Sequence, residues 1–320
     1  MTYAVGGSVQ AGDFNTLVTG YANGAPNTSA AALNTVWSVG GQNKGYGQPV
    51  TAAAAVGDAV AAIKWANIVS NTASAATHQG SSITAVTAPA TGGIITYLAA
   101  IPSNLDTIFN NRLNAQVQGS TFANTATRGT TWNQVLTFEH VVTFTSGDAA
   151  RYFFNAGGQL AITCSHPSGT GINLIVSNLA SNIGTVVLSA PTAGTATIAS
   201  TSYNGVTKIG GSGSATISTN SGYYAMTTAN TQVFQQFSGS YYYLSTTVNV
   251  AVNVKSNAVD IDGHGDAGSQ LTIYTVWDEV PDGSVVSSGS ATMVTVKPPE
   301  STNIANTWGA ISLSGTVSGT

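Results

Sequence analysis

A chain of 320 residues, 42% of them apolar, has the material for two domains or for one large β domain with an appendage, and it excludes bulk disorder. Only 6% of its residues are charged, against about 25% in ordinary soluble domains, so Thr, Ser, Asn, Gln and Gly must wet the surface. The net charge of −4, with eight Lys and Arg scattered singly, excludes nucleic acid as the main partner, and the lone Cys164 excludes an internal disulfide or a multi-cysteine zinc site.

A weakly charged surface is poor at self-repulsion and suits a chain packed against copies of itself or other subunits. The opening MTYAVGGSVQAGDF has no basic stretch followed by an apolar one, so no secretory signal and synthesis in a cytoplasm are expected. TAAAAVGDAVAAIKWANIV is broken by Asp58 and Lys64, so no membrane insertion is expected.

In chain order, Asp13 caps a first predicted helix carrying Phe14, Leu17 and Val18. Asn27 or Thr28 caps a second, with Ala32, Leu33, Val36 and Trp37 on one side. Residues 40–49 (GGQNKGYGQP) read as a loop or subunit contact. The spacing predicts a long helix over 51–76, with Val56, Val60, Ile63 and Asn67 in one line and Trp65, Val69 and Thr72 in the next, buried against partners on most sides. A further helix is predicted over 101–117, with Leu105, Ile108, Phe109 and Leu113 inward. From about residue 131 the period becomes two: Phe138, His140, Val142 and Phe144 share one strand face, and Leu160, Ile162 and Cys164 share another. The stretch 225–237 suggests a short helix between strands.

These patterns give an α+β chain. Residues 1–120 form a helical attachment or oligomerisation region, 121–130 a linker, and 131–320 an antiparallel β-sandwich of jelly-roll type. In the SGDAARYFFNAGG stretch, Ser146–Asp148 is read as a turn. Arg151, Asn155, Gly157 and Gly158 are read as structural turn residues, Arg151 pairing with Asp148 or stitching turn carbonyls and the glycines supplying positive φ. Phe153 and Phe154 divide between core and an intersubunit surface.

FEHVVTFTSGDAARYFFNAGGQL (138–160), GYYAMTTANTQVFQQFSGSYYYLSTTVNVAVNVKSN (222–257), GDAGSQLTIYTVWDEVPDG (265–283) and VTVKPPESTNIANTWGAISLSG (294–315) carry a resemblance. The β half resembles virion structural proteins of tailed bacteriophages of the cyanophage type, tail-fibre-like proteins among them. The DFNTLV and GYGQ stretches of the N-terminal part are similar more loosely. The resemblance implies virion structure rather than catalysis, supplies no catalytic residues, and leaves open fibre, baseplate, neck or capsid decoration.

The densest acidic stretch, DIDGHGD (260–266), places Asp260, Asp262, His264 and Asp266 at positions 1, 3, 5 and 7 of a calcium loop, but position 12, where a bidentate Glu belongs, is Leu271. A solvated turn is the preferred reading over a metal site. Cys164 and His166 share a strand face without an orienting third group, so a core cysteine is preferred over a nucleophile. Glu139 and His140 face opposite ways. Asp278, Glu279 and Asp282 read as an exposed turn rather than a glycosidase pair. In GSYYYLS, Tyr241 and Tyr243 share a face and are the best candidates for a partner or sugar surface. No catalytic, metal or cofactor-binding residue is assigned.

The expectation is a non-enzymatic phage structural component in the virion, with other virion proteins and its own copies as partners and trimeric order. A receptor-binding module for host-surface glycan, or a capsid decoration protein, is the alternative. A polysaccharide-degrading enzyme ranks below both.

Overall fold

A computed structural model describes residues 11–19, 21–22, 25–26, 32–55, 60–90, 100–191, 194–219, 221–239, 247–261, 263–280 and 285–319. The chain is α+β, with its strands in antiparallel sheets.

Alternation of apolar and small polar residues builds two large sheets. Their strands are β1 (Phe122–Thr127), β2 (Val135–Thr143), β3 (Gln159–Ser165), β4 (Thr185–Leu188), β5 (Val206–Ile209), β6 (Thr216–Ile217), β7 (Thr231–Phe237), β8 (Thr247–Ser256), β9 (Gln270–Val280), β10 (Ala291–Lys297) and β11 (Ser312–Gly319). One sheet has the order β6-β7-β8-β9-β2-β11, the other β1-β10-β3-β4-β5. In β2 the even positions Leu136, Phe138, His140 and Val142 are buried, while Thr137, Glu139, Val141 and Thr143 are half-exposed. A period-two strand does this when one face is covered. β1 falls inside the expected 121–130 linker: its residues pair with β10 from Phe122↔Val296 to Thr127↔Ala291, so that segment is sheet, not tether.

The helices are α1 (Ala11–Thr19), α2 (Leu33–Trp37), α3 (Ala62–Gln79), α4 (Ala100–Asn110), α5 (Gly147–Asn155) and α6 (Ile172–Ile183). Asp13 lies in the first turn of α1, not at its cap, and residues 27–31 lie outside the described residues. The long helix starts eleven residues later than the predicted 51 and ends at Gly80, whose φ of 67° lets its N–H turn back onto the Ala76 and Thr77 carbonyls. Its buried line is Trp65, Ile68, Thr72, Ala75 and Ala76, while Ile63 is 65% exposed, so the line drawn through Ile63 is the wrong one. The helix expected to run to 117 stops at Asn110. The short helix expected within 225–237 is a single 3-10 turn at Tyr223–Ala225, followed by strand β7.

Two helices were not predicted. Ser146 caps α5 by accepting from the Ala149 N–H at 3.0 Å, so Ser146–Asp148 opens a helix where a turn was expected. α6 carries Ile172, Ile175, Val176, Leu179, Ala180 and Ile183 at helical spacing and packs against strands of both sheets.

The helical region and the sheets share one connected apolar core that runs from Phe14 and Trp65 to Trp277 and Trp308. Aromatic edges pave its length: Phe14–Trp65 at 5.4 Å, Trp132–Trp277 at 6.5 Å, Phe144–Phe153 at 5.2 Å, and Phe154 stacked on Tyr223 at 4.4 Å. Such pairs add about 0.5–1.5 kcal/mol beyond area burial. Phe153 and Phe154 are both fully buried, so neither reaches an intersubunit surface.

Candidate functional site

The densest polar convergence lies where α5 meets two distant loops. Eight of the nine α5 residues are buried, and among them Arg151 is 0% exposed. A buried guanidinium must fill its donors or carry a large desolvation cost. It does so in two directions. Nε and Nη2 bond Asp148 Oδ1 at 3.0 and 2.5 Å, and Nη1 donates to the Val39 and Lys44 carbonyls at 2.7 and 2.8 Å. Its Cζ also lies over the Tyr152 ring, 4.7 Å from the ring centroid.

One turn along, Asn155 Nδ2 sits within reach of the carbonyls of Gln42, Lys44 and Gly45 at 3.2, 3.1 and 3.0 Å. Tyr224 Oη lies 2.7 Å from both the Gln42 carbonyl and Asn155 Oδ1. Burial pushes the Tyr224 and Tyr223 hydroxyls well above the ordinary tyrosine range, so both stay protonated. The glycine-rich loop 39–45 is therefore held by its own main chain. Gly45 has φ of 89°, and a Cβ there would strike the Val39 and Ser38 carbonyls, which explains a glycine at that point.

The 260–266 loop closes the junction from the other side. His264 Nδ1 is 3.0 Å from Asp148 Oδ2, so Asp148 bridges Arg151 and His264, and the His264 carbonyl accepts the Gln42 N–H at 2.6 Å. Asp266 is 4% exposed and accepts the Gly268 N–H at 2.7 Å, and Asp260 accepts the Gly265 N–H at 2.5 Å. The reading of 260–266 as a wholly solvated turn is corrected on this point. Its carboxylates cap loop amides and its backbone docks on loop 39–45, while Ile261 is 64% exposed and Asp262 lies outside the described residues. Lys44, Asp260 and His264 rim an open cleft of about 370 Å³ between the two loops. Among the described residues no cluster of three or more His, Cys, Asp or Glu is arranged to hold a metal ion.

The turn assigned to Arg151 and Asn155 is a helix, and the carbonyls they hold belong to loop 39–45. Gly157 has the positive φ expected of it, 93°. Gly158 does not share that conformation; a Cβ there would meet the Phe153 ring and carbonyl at 2.6 Å. Tyr241 and Tyr243 lie outside the described residues.

The remaining candidates do not converge. His166 sits in a polar chain: Trp132 Nε1–H donates to Ser290 Oγ at 2.9 Å, His166 Nδ1 is 2.9 Å from that oxygen, and Nε2 is 3.3 Å from Asn173 Oδ1. Burial lowers the His166 pKa, and burial pushes the Cys164 thiol up to about 12, the opposite of an activated nucleophile. Glu279 is 3% exposed within β9 and Asp278 accepts from Asn249 at 3.4 Å, so this pair is in sheet, not an exposed turn. Asp282 lies outside the described residues.

The Arg151–Asp148 pair named from the sequence is present, but the loop 39–45 carbonyls were missed because they are 107 and 112 residues away in the chain. The one local signal was the Asp148–Arg151 spacing of three.

Comparison with protein-family models, with curated proteins and with solved structures finds no match. No helix among the described residues is long and apolar enough to cross a membrane.

Proposed function

We propose that this chain is a non-enzymatic structural component of a tailed-phage particle, of the fibre, baseplate or neck class, acting by self-assembly and by docking to other virion proteins. The finer fold reading, a jelly-roll-like sandwich of the two large sheets, belongs to the same proposal. The observation that carries it is the α5 junction. Arg151, Asn155 and Tyr224 spend their polar groups fastening the 39–45 loop of the helical region to the β region, which makes one stiff body of two segments far apart in sequence. A particle component that transmits mechanical force needs that stiffness. A surface almost without charge also favours permanent contact over free diffusion.

Peptide mass spectrometry of density-purified particles tests this. The chain should be present at a fixed copy number relative to the major capsid protein. Its absence from particles, or turnover of host-surface polysaccharide by the purified chain that is lost in Asp278→Asn, would overturn the reading.

A further inference from the structure

Strand β11 ends the six-stranded sheet, and among the described residues no strand is hydrogen-bonded to its other side; β1 of the second sheet packs against its inner face, where the Asn124 side chain lies against Gly315. It runs eight residues in unbroken register with β2, from Ser312↔Thr143 to Gly319↔Leu136. The other free edges of the two large sheets have six, four and two residues (β1, β5 and β6). Long edges are normally blunted by Lys, Pro or a bulge, because their open N–H and C=O groups invite another strand. SLSGTVSG has none of these.

The ladder of β2 tells which groups point outward. Phe144 N donates to Ser269 O and Glu279 N donates to Gln134 O, each at 2.8 Å, so even-numbered residues along β2 turn their backbone groups toward β9. The odd residues turn toward β11, where they face Ser312, Ser314, Thr316 and Ser318. The backbone groups of Leu313, Gly315 and Val317 are therefore the ones directed away from the sheet.

The sequence around Gly315 is an inverted repeat in chemistry. Ser314 and Thr316 flank it with hydroxyls, Leu313 and Val317 follow with branched apolar side chains, and Ser312 and Ser318 repeat the hydroxyl. Leu313 and Val317 are half-buried against the core, while the four hydroxyl residues are exposed on the outer face.

We propose that β11 pairs antiparallel with β11 of a second copy, about a two-fold axis through Gly315. In that register Gly315 meets Gly315 and Leu313 meets Val317, each exchanging two backbone hydrogen bonds through groups already directed outward. Apolar meets apolar on the inner face, hydroxyl meets hydroxyl on the outer face, and no charge opposes another. A one-residue slip would set inward-directed groups against outward ones and lose the ladder. The contact is isologous, so it closes a dimer and does not build the trimer expected from the sequence. It does not rest on the virion reading, and the two fail separately.

Ser314 and Thr316 of opposite copies form a non-hydrogen-bonded pair, with Cα atoms about 4.5 Å apart, close enough for a disulfide. Ser314→Cys and Thr316→Cys are made separately in the full chain. Each alone should stay uncross-linked on oxidation, and an equimolar mixture should give a covalent dimer. Cys164 is present in every sample, so the single variants report any cross-link through it. Val317→Pro, whose lost N–H points away from β2, should convert the native dimer to monomer in light scattering while keeping the native circular dichroism. The proposal is overturned if the native chain is monomeric at every concentration, if Ser314→Cys alone cross-links as readily as the mixture, or if the folded mixture does not cross-link.

Discussion

Replacing Arg151 by Met keeps the stem in place and removes only the guanidinium. Four donor contacts go with it: two to Asp148 Oδ1, one to the Val39 carbonyl and one to the Lys44 carbonyl. Breaking a buried ion pair from one side costs about 3–5 kcal/mol, because the other charge is left uncompensated. The Asp148 side chain is 23% exposed and His264 stays beside it, so water and the imidazole relieve part of that cost. The two carbonyls lose a charged donor, at about 1.5–3 kcal/mol for such a bond, and Lys44 O keeps Asn155. These terms overlap, and a net loss of about 3 kcal/mol is expected. With a urea m-value of about 3 kcal/mol per M, the midpoint should fall by about 1 M. Asp148→Asn leaves both carbonyl bonds in place but strips the fully buried guanidinium of its counter-charge, so it should cost at least as much, about 3–5 kcal/mol. Hydrogen exchange locates the damage: the Tyr46 and Gly47 amides, which donate to Val36 O and Ser38 O, should exchange faster in Arg151→Met. A midpoint within about 0.2 M of the native value, equivalent to about 0.5 kcal/mol, with those amides unchanged, would refute the reasoning.

Asn155→Ala removes a donor that faces three loop carbonyls and an acceptor for Tyr224. It should cost about 2 kcal/mol in urea melts and speed exchange in the same loop. Gly157→Ala places a Cβ 2.4 Å from the Ala115 Cβ at φ of 93°, and a loss of more than about 1 kcal/mol is expected by thermal melting. His78, His140 and His166 all have pKa values lowered by burial, so the unfolded chain binds protons that the folded chain refuses. Their contribution is complete above the ordinary histidine value of about 6.5 and is lost as pH falls through the lowered folded-state values, so urea midpoints should drop progressively below about pH 6.5. His166→Gln should flatten that slope.

What the sequence discloses depends on whether burial is one-sided. β2 buries one face, so its alternation is readable, and α6 carries an apolar stripe that could have been read in the same way. α5 sets Asp148, Arg151 and Asn155 along one face and Ala149, Ala150, Phe153 and Phe154 along the other, but over only nine residues, and its adjacent Phe153 and Phe154 look like strand. The Ser146 cap is a further legible signal. The 260–266 loop failed for a different reason. Acidic residues in a Gly-rich stretch normally mean solvent, and only the fold shows Asp266 buried and His264 turned toward Asp148. Beyond Asp148, the partners of Arg151 could not be read locally, since contacts across a hundred residues leave no trace in a single sequence.

The scarcity of charge can be restated in structural terms. Of the eight Lys and Arg, Arg151, Arg112, Arg128, Lys208 and Lys64 donate to backbone carbonyls: Val39 and Lys44; Asn43 and Phe109; Thr131; Ser212 and Gly213; and Ala53, respectively. Long glycine- and serine-rich loops expose carbonyls that no ladder satisfies, and a cation with several donors serves two of them at once. The cations of this chain therefore act chiefly as loop staples rather than as a surface field. That use needs only a few of them, and it leaves the outer faces of the sheets to hydroxyls and small residues. Such faces do not repel a second copy, and β11 is the place where the exposed backbone offers that copy a ladder.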